Sequence, residues 1–214
     1  MKIYAISDIH GYIDEFNTAL SYIDLDDKDA KLIILGDYIH GHDSYSVLDR
    51  VMELQEKYGS ERIITLMGNH ELAILEKRAL ISDFDDVRRD RTDDTKYLTW
   101  MRTLKFYYKT DKQIFVHAGI DEDAEELWES GTPEWMFCEK YPHSIGLFYK
   151  DIIAGHIGTA AISGNPSFHD IYFDGLSHYY LDGSVNISKV IPILMYDTES
   201  GKYYRIFEGK IEEI

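Results

Sequence analysis

The chain has 214 residues and a formal net charge of −17, with 44% apolar and 29% charged residues. That length lets one domain, residues 1–214, bury its core without staples, and a single cysteine, Cys138, excludes an internal disulfide framework. The acidic excess repels polyanions at long range, so neither nucleic acid nor an anionic membrane is an expected partner.

The acidic residues gather at 24–29, 83–94 and 121–126, the pattern of a solvated surface. Met1-Lys2 runs directly into Ile3-Tyr4-Ala5-Ile6, too short a run for a secretion signal. No apolar stretch is long enough for a bilayer, so the expected location is cytoplasmic. Repeats and low-complexity tracts are absent from the sequence; residues 82–94 and 163–174 read as insertions within the one domain.

Taken in order, residues 3–6 predict a buried strand, after which Ile13, Phe16, Leu20 and Ile23 recur at helical spacing. Residues 32–35 predict a second strand. The next helix carries Val47, Val51, Leu54 and Tyr58 on one face, with Asp43 or Ser44 as its cap. Residues 63–67 predict a third strand, feeding a helix that begins near Glu71. Tyr97, Trp100, Met101 and Leu104 mark the buried stripe of a helix over 94–104. The second half is richer in strands, at 114–116, 152–154, 179–181, 190–196 and 202–207, with Thr198-Glu199-Ser200-Gly201 as a hairpin turn. Strand–helix alternation followed by strands predicts an α/β sandwich, mixed sheets inside and helices outside.

Five of these strands end in residues of the metal-ligating kind. They are followed by Asp8-Ile9-His10-Gly11, Gly36-Asp37, Gly68-Asn69-His70-Glu71, His117-Ala118-Gly119 and Gly155-His156. Each motif alone also reads as a cap, a turn or an ordinary histidine. Together they place Asp, Asn and His donors at the sheet edge where α/β proteins bind ligands. Oxygen and imidazole donors without thiolates suit Mn²⁺, Fe, Zn²⁺ or Ni²⁺ rather than a cysteine-rich structural zinc.

In this order the motifs resemble the calcineurin-like metallophosphoesterases, most closely the phosphoprotein-phosphatase branch with its bacterial Ser/Thr phosphatases and symmetrical dinucleoside tetraphosphatases. Tyr180-Leu181-Asp182-Gly183 resembles a later strand of that family. The resemblance implies a four-layer αββα sandwich of two mixed sheets and a centre of two divalent transition-metal ions, manganese first among them. It implies that Asp8, His10 and Asp37 hold one ion, and that Asp37 bridges to a second held by Asn69, His117 and His156. The implied reaction is in-line attack on phosphorus by a metal-bridging hydroxide, with His70 protonating the leaving oxygen. The expected substrate is a phosphorylated small molecule or a phosphoprotein.

The resemblance breaks at the second motif. The phosphatase branch usually reads Gly-Asp-Tyr-Val-Asp-Arg-Gly, whereas this chain reads Gly36-Asp37-Tyr38-Ile39-His40-Gly41-His42. His40 takes the place of the aspartate that supports the acid histidine, and Gly41 that of an arginine that clamps phosphate bidentately. Two readings of His40 and His42 stay open: contacts to a different substrate at the metal site, or exposed loop histidines. Three functions therefore stand side by side: a phosphate-ester hydrolase of the Ser/Thr phosphatase kind with an altered clamp, a hydrolase of dinucleoside polyphosphates or small phosphodiesters, and a degenerate metal-binding scaffold.

Overall fold

Alternation of side chains along strand β1 (Lys2–Ile6) sets the layering. In this computed structural model, which describes residues 1–81 and 94–214, Ile3 and Ala5 join Ile33, Ile64, Phe115, Ile153 and Tyr179 in one buried cluster. Tyr4 and Ile6 point the other way, into a cluster with Phe16, Leu20, Val47 and Val51. The first cluster is the seam between two sheets and the second lies under the helices, as a period of two requires.

The first sheet runs β11-β10-β9-β1-β2-β3. Strands β1, β2 (Ala30–Ile34) and β3 (Ile63–Thr65) are parallel. They are linked by helices α1 (Ile13–Ser21) and α2 (Ser44–Tyr58). The antiparallel half comprises β9 (Ile193–Asp197), β10 (Lys202–Phe207) and β11 (Lys210–Glu213). After β3 come α3 (Asn69–Leu75) and α4 (Thr95–Met101). The second sheet runs β4-β5-β6-β8-β7, with β4 at Tyr107–Lys109, β5 at Gln113–Val116, β6 at Asp151–Ala154, β7 at Tyr172–Phe173 and β8 at His178–Tyr180. Its central strands β5, β6 and β8 are parallel. Short helices α5 (Trp128–Gly131), α6 (Glu134–Glu139), α7 (Thr159–Ser163) and α8 (Val185–Ser188) accompany it. Two mixed sheets flanked by helices are the αββα sandwich that the sequence implies.

The differences from expectation are local. Helix α3 starts at Asn69, not near Glu71, because the Glu71 carboxylate reaches back to the Gly68 N–H at 3.2 Å and so caps the helix two residues earlier. Asp43, rather than Ser44, caps α2 by accepting from the Ser46 N–H. Strand β9 begins at Ile193 instead of residue 190, just after Pro192, which has no N–H to give a ladder. Edge strands β4, β7 and β11 were not foreseen; β11 is joined to β10 through Glu208-Gly209, both at positive φ as a tight hairpin demands. The supposed insertion at 163–174 contains β7 and so belongs to the second sheet. The one expected at 82–94, with most of its acidic run, lies outside the described residues. Among the described residues no helix is long and apolar enough to cross a membrane.

Candidate metal centre

The carboxyl ends of β1, β2, β3, β5 and β6 converge on one edge of the sandwich, and the seven predicted residues follow those ends. Their backbone is strained. Asp8, His10, Asp37, His40 and His156 all adopt positive φ, between 48° and 67°, although none is glycine. Each such residue costs on the order of 1 kcal/mol and persists only where neighbours over-determine it. Here the loops are laced together: Asp8 N–H donates to Gly36 O at 3.2 Å, His10 N–H to Asp37 O at 2.9 Å, and Gly155 N–H to His117 O at 2.8 Å. Gly68 permits one close approach, since a Cβ there would lie 2.1 Å from Asp37 Oδ1.

Asp37 sits at the centre and is buried. Its Oδ1 accepts the His70 N–H at 3.1 Å. Its Oδ2 faces His117 Nε2 at 3.4 Å, His10 Nε2 at 3.7 Å and His70 Nε2 at 3.8 Å. Asn69 Oδ1 lies 3.0 Å from both His117 Nε2 and His156 Nδ1. Asp8 completes the group, with Oδ1 3.8 Å from His10 Nε2 and Oδ2 accepting the His156 N–H at 3.1 Å. All six predicted ligands are thus brought together.

These residues fit divalent ions. The three imidazole nitrogens around Asp37 Oδ2 are too far for good hydrogen bonds. Those of His117 and His10, at 3.4 and 3.7 Å, stand near the spacing of about 3.4 Å that tetrahedral ligands keep around an ion with bonds of about 2.1 Å. Two sets of donor atoms each fall within 4.8 Å: His10, Asp37 and His70, and Asp8, Asp37 and His117; Asp37 belongs to both. His117 is buried with no partner for Nδ1, so its polar anchoring is at Nε2, facing Asp37 and Asn69. Among the described residues no lysine or arginine pairs with Asp8 or Asp37; only histidines do. Burial pushes the Asp8 carboxyl up. Against burial, the imidazoles hold Asp37 far below the usual carboxylate range, and Asp37 in turn holds His117 up at about 9. Buried anions compensated by imidazoles alone are what a resident cation would neutralise.

His70 stands beside this group. Its Nδ1 meets His40 Nδ1 at 2.5 Å, and His40 Nε2 faces the Leu80 carbonyl at 3.3 Å. Burial depresses His70 to about 4. His40 therefore reaches the site, whereas His42 is exposed and lines a cleft of about 470 Å³ shared with Tyr12, His40, Gly41 and Lys189.

Two residues were missed. Glu71, read only as a first-turn helix acid, is fully buried. Its carboxylate accepts N–H groups from Asp37 and Tyr38 at 2.9 Å, Gly68 at 3.2 Å and Ile39 at 3.3 Å. The signal was present: a glutamate three residues past Gly68, ahead of an apolar helix, is half of a capping box. Asp182 follows β8 as the sixth strand-end donor, at the same edge as the others. Burial and Asp8 push it up to about 7, and its Oδ1 accepts the Ser184 N–H at 2.7 Å.

Comparison with known proteins agrees with this geometry. The family described as calcineurin-like phosphoesterase matches residues 1–187. A symmetrical bis(5'-nucleosyl)-tetraphosphatase of Nitrosospira multiformis is 34% identical over 126 residues, 56% of this chain and 44% of that protein. Its namesake in Nitrosococcus oceani is 31% identical over 173 residues, 76% of this chain and 58% of that one. The chain thus spans about half the length of the curated relatives it matches. Among solved structures, the cold-active protein-tyrosine phosphatase of a psychrophilic Shewanella species superposes with a TM-score of 0.66 at 16% identity, over 99% of this chain and 80% of that one. A yeast protein serine/threonine phosphatase superposes at 0.65 with 10% identity, over 100% of this chain and 79% of its own. These two likenesses are of fold.

Proposed function

The chain belongs to the calcineurin-like phosphoesterase family, and we propose that it is a metal-dependent hydrolase of phosphate esters or anhydrides, acting as one domain over residues 1–214. The observation that carries this reading is Asp37 Oδ2 ringed by imidazole nitrogens of His117, His10 and His70 at 3.4–3.8 Å, beside Asn69 Oδ1 at 3.0 Å from the same His117 nitrogen and from one of His156. Asp8, His10 and Asp37 would hold one divalent ion; Asp37, Asn69, His117 and His156 would hold the other. Manganese is the expected metal, with iron, zinc and nickel compatible with the same donors. When bound, such a pair supplies Lewis acidity that activates water and offsets charge on the phosphoryl oxygens.

The chain's own groups do the rest. His70 turns Nε2 toward the Asp37 side and Nδ1 toward His40; with its Nδ1–H given to His40, the doubly protonated ring is the form that would present an Nε2 proton to the leaving oxygen. Glu71 holds the 37–39 backbone rigid beneath it. Of substrates, dinucleoside polyphosphates come first, because the curated relatives carry that activity in their names. A phosphoserine protein is the second reading, weakened by Gly41 standing where a clamp arginine is usual.

The test is hydrolysis of p-nitrophenyl phosphate, bis-p-nitrophenyl phosphate and diadenosine tetraphosphate by the Mn²⁺-loaded protein, with metal content measured in parallel. Asp37→Asn should lose both metal and turnover. His70→Ala should keep its metal and lose roughly 10²–10⁴ in kcat. Full metal occupancy without turnover of any of the three would make the chain a binding module and overturn the proposal.

A further inference from the structure

A cleft of about 470 Å³ is lined by none of the candidate ligands, yet it adjoins the site through His40, whose Nδ1 meets His70 Nδ1. Among the described residues that line it, the cation is Lys189. The Nζ of Lys189 lies 4.2 Å from the centroid of the Tyr12 ring, and no ion pair joins it to a carboxylate among the described residues. Its position is built rather than incidental. The chain leaves the metal edge at Asp182, passes Ser184 at φ 53° and turns through α8 to Lys189 at φ 59°. Two non-glycine residues in left-handed conformation within six positions store strain of the kind kept at ligand clamps. On the opposite wall Gly41 has no room for a side chain, because a Cβ there would lie 1.4 Å from His10 O. The customary arginine therefore cannot be accommodated, and among the described residues the cation lining the cleft comes from another element. Asp14 and Glu15 share the rim. Among its described residues the cleft offers an ammonium, two carboxylates, a tyrosine and two imidazoles, a mixture that suits a ligand with both phosphate and sugar or base hydrogen-bond donors better than a bare polyanion.

We propose that this cleft seats the uncleaved part of a nucleoside polyphosphate substrate, with the Lys189 ammonium contacting a phosphate remote from the scissile one and Asp14 and Glu15 accepting hydrogen bonds from the nucleoside. The proposal rests on the hydrolase reading above for its role, though not for its chemistry.

Calorimetric binding of β,γ-methylene-ATP to the Mn²⁺-loaded protein tests it apart from catalysis. Lys189→Glu should weaken Kd at least tenfold, Lys189→Arg should stay within about threefold of the parent, and AMP should discriminate little between the two variants. Thermal melts of both variants establish that each is folded. In parallel, the ratio of KM for diadenosine tetraphosphate to KM for p-nitrophenyl phosphate should rise about tenfold in Lys189→Glu. Equal Kd for β,γ-methylene-ATP across parent, Glu and Arg variants, or no binding by any, overturns the proposal while leaving monoester hydrolysis to stand. Lys189-dependent binding without turnover of any substrate supports the cleft and overturns the hydrolase reading instead.

Discussion

The Glu71 carboxylate accepts the Asp37 backbone N–H at 2.9 Å, so a buried acid tethers the backbone that carries the central carboxylate. Three further N–H groups, from Tyr38, Ile39 and Gly68, converge on the same two oxygens. Glu71→Gln replaces one acceptor oxygen by an NH₂ that confronts two donors. Leaving buried N–H groups unsatisfied costs ~1–3 kcal/mol each, so with two such donors the variant should lose about 2–6 kcal/mol in denaturant unfolding and should bind metal more weakly. A melt indistinguishable from the parent would show that the 37–39 loop is held by something else.

His40 and His70 meet through their Nδ1 atoms, so one ring donates and the other accepts. With His40 Nε2 turned to the Leu80 carbonyl, the His40 Nδ1 lone pair receives the His70 Nδ1–H and leaves His70 Nε2 for the site. His40→Ala should lower kcat about tenfold with little change in KM, as expected for a group that positions an acid. His40→Asn, whose side-chain oxygen can accept the same hydrogen, should recover most of it. Equal losses in the two variants would remove the orienting role.

A second buried histidine gives a pH signature away from the metals. His178 Nδ1 lies 3.0 Å from Asp174 Oδ2 and its Nε2 lies 3.1 Å from Glu122 Oε2. Burial lowers the His178 pKa, but the two carboxylates outweigh it and the ring is held above its ordinary 6.5. Glu122, despite burial, is brought down to about 2 by His178, Ser144 and Lys140. The glutamate's contribution is present above its unfolded value near 4.5 and is lost as pH falls toward 2. The histidine's is complete below 6.5 and is lost as pH rises through its raised folded value. Thermal stability from this network should therefore be greatest between about pH 4.5 and 6.5. His178→Gln should flatten the decline on the alkaline side, which a Tm-against-pH series measures directly.

The alternation and strand-end residues made the double sheet and all six candidate ligands legible, because burial on both faces leaves parallel strands as apolar runs such as residues 152–154 of β6. What the sequence hid depends on contacts between distant segments. Strands β4, β7 and β11 are short edges whose partners, rather than their own composition, make them strands. Glu71 looks like any helix acid until four N–H groups from two loops are seen to meet it. Lys189 follows a four-residue helix with no motif, and only the fold carries it to Tyr12, far away in the chain.

Gly41 is the point where the departure from the family pattern acquires a physical reason. Its φ is not left-handed; what excludes a side chain is the His10 carbonyl, 1.4 Å from where a Cβ would stand. Gly41→Arg should therefore fail to rebuild a phosphate clamp, and even Gly41→Ala should force the 40–43 turn away from His10. Overpacking of this kind costs about 1–3 kcal/mol. Because His10, against whose carbonyl the new Cβ would press, is a candidate ligand, metal content should fall together with Tm. Gly175→Ala is the control: that glycine has φ +84° but open space around it, so its substitution should cost only about 1 kcal/mol of backbone strain and leave metal content intact. If Gly41→Ala melts no lower than Gly175→Ala and keeps its metal, the His10 carbonyl is not what bars an arginine from this loop.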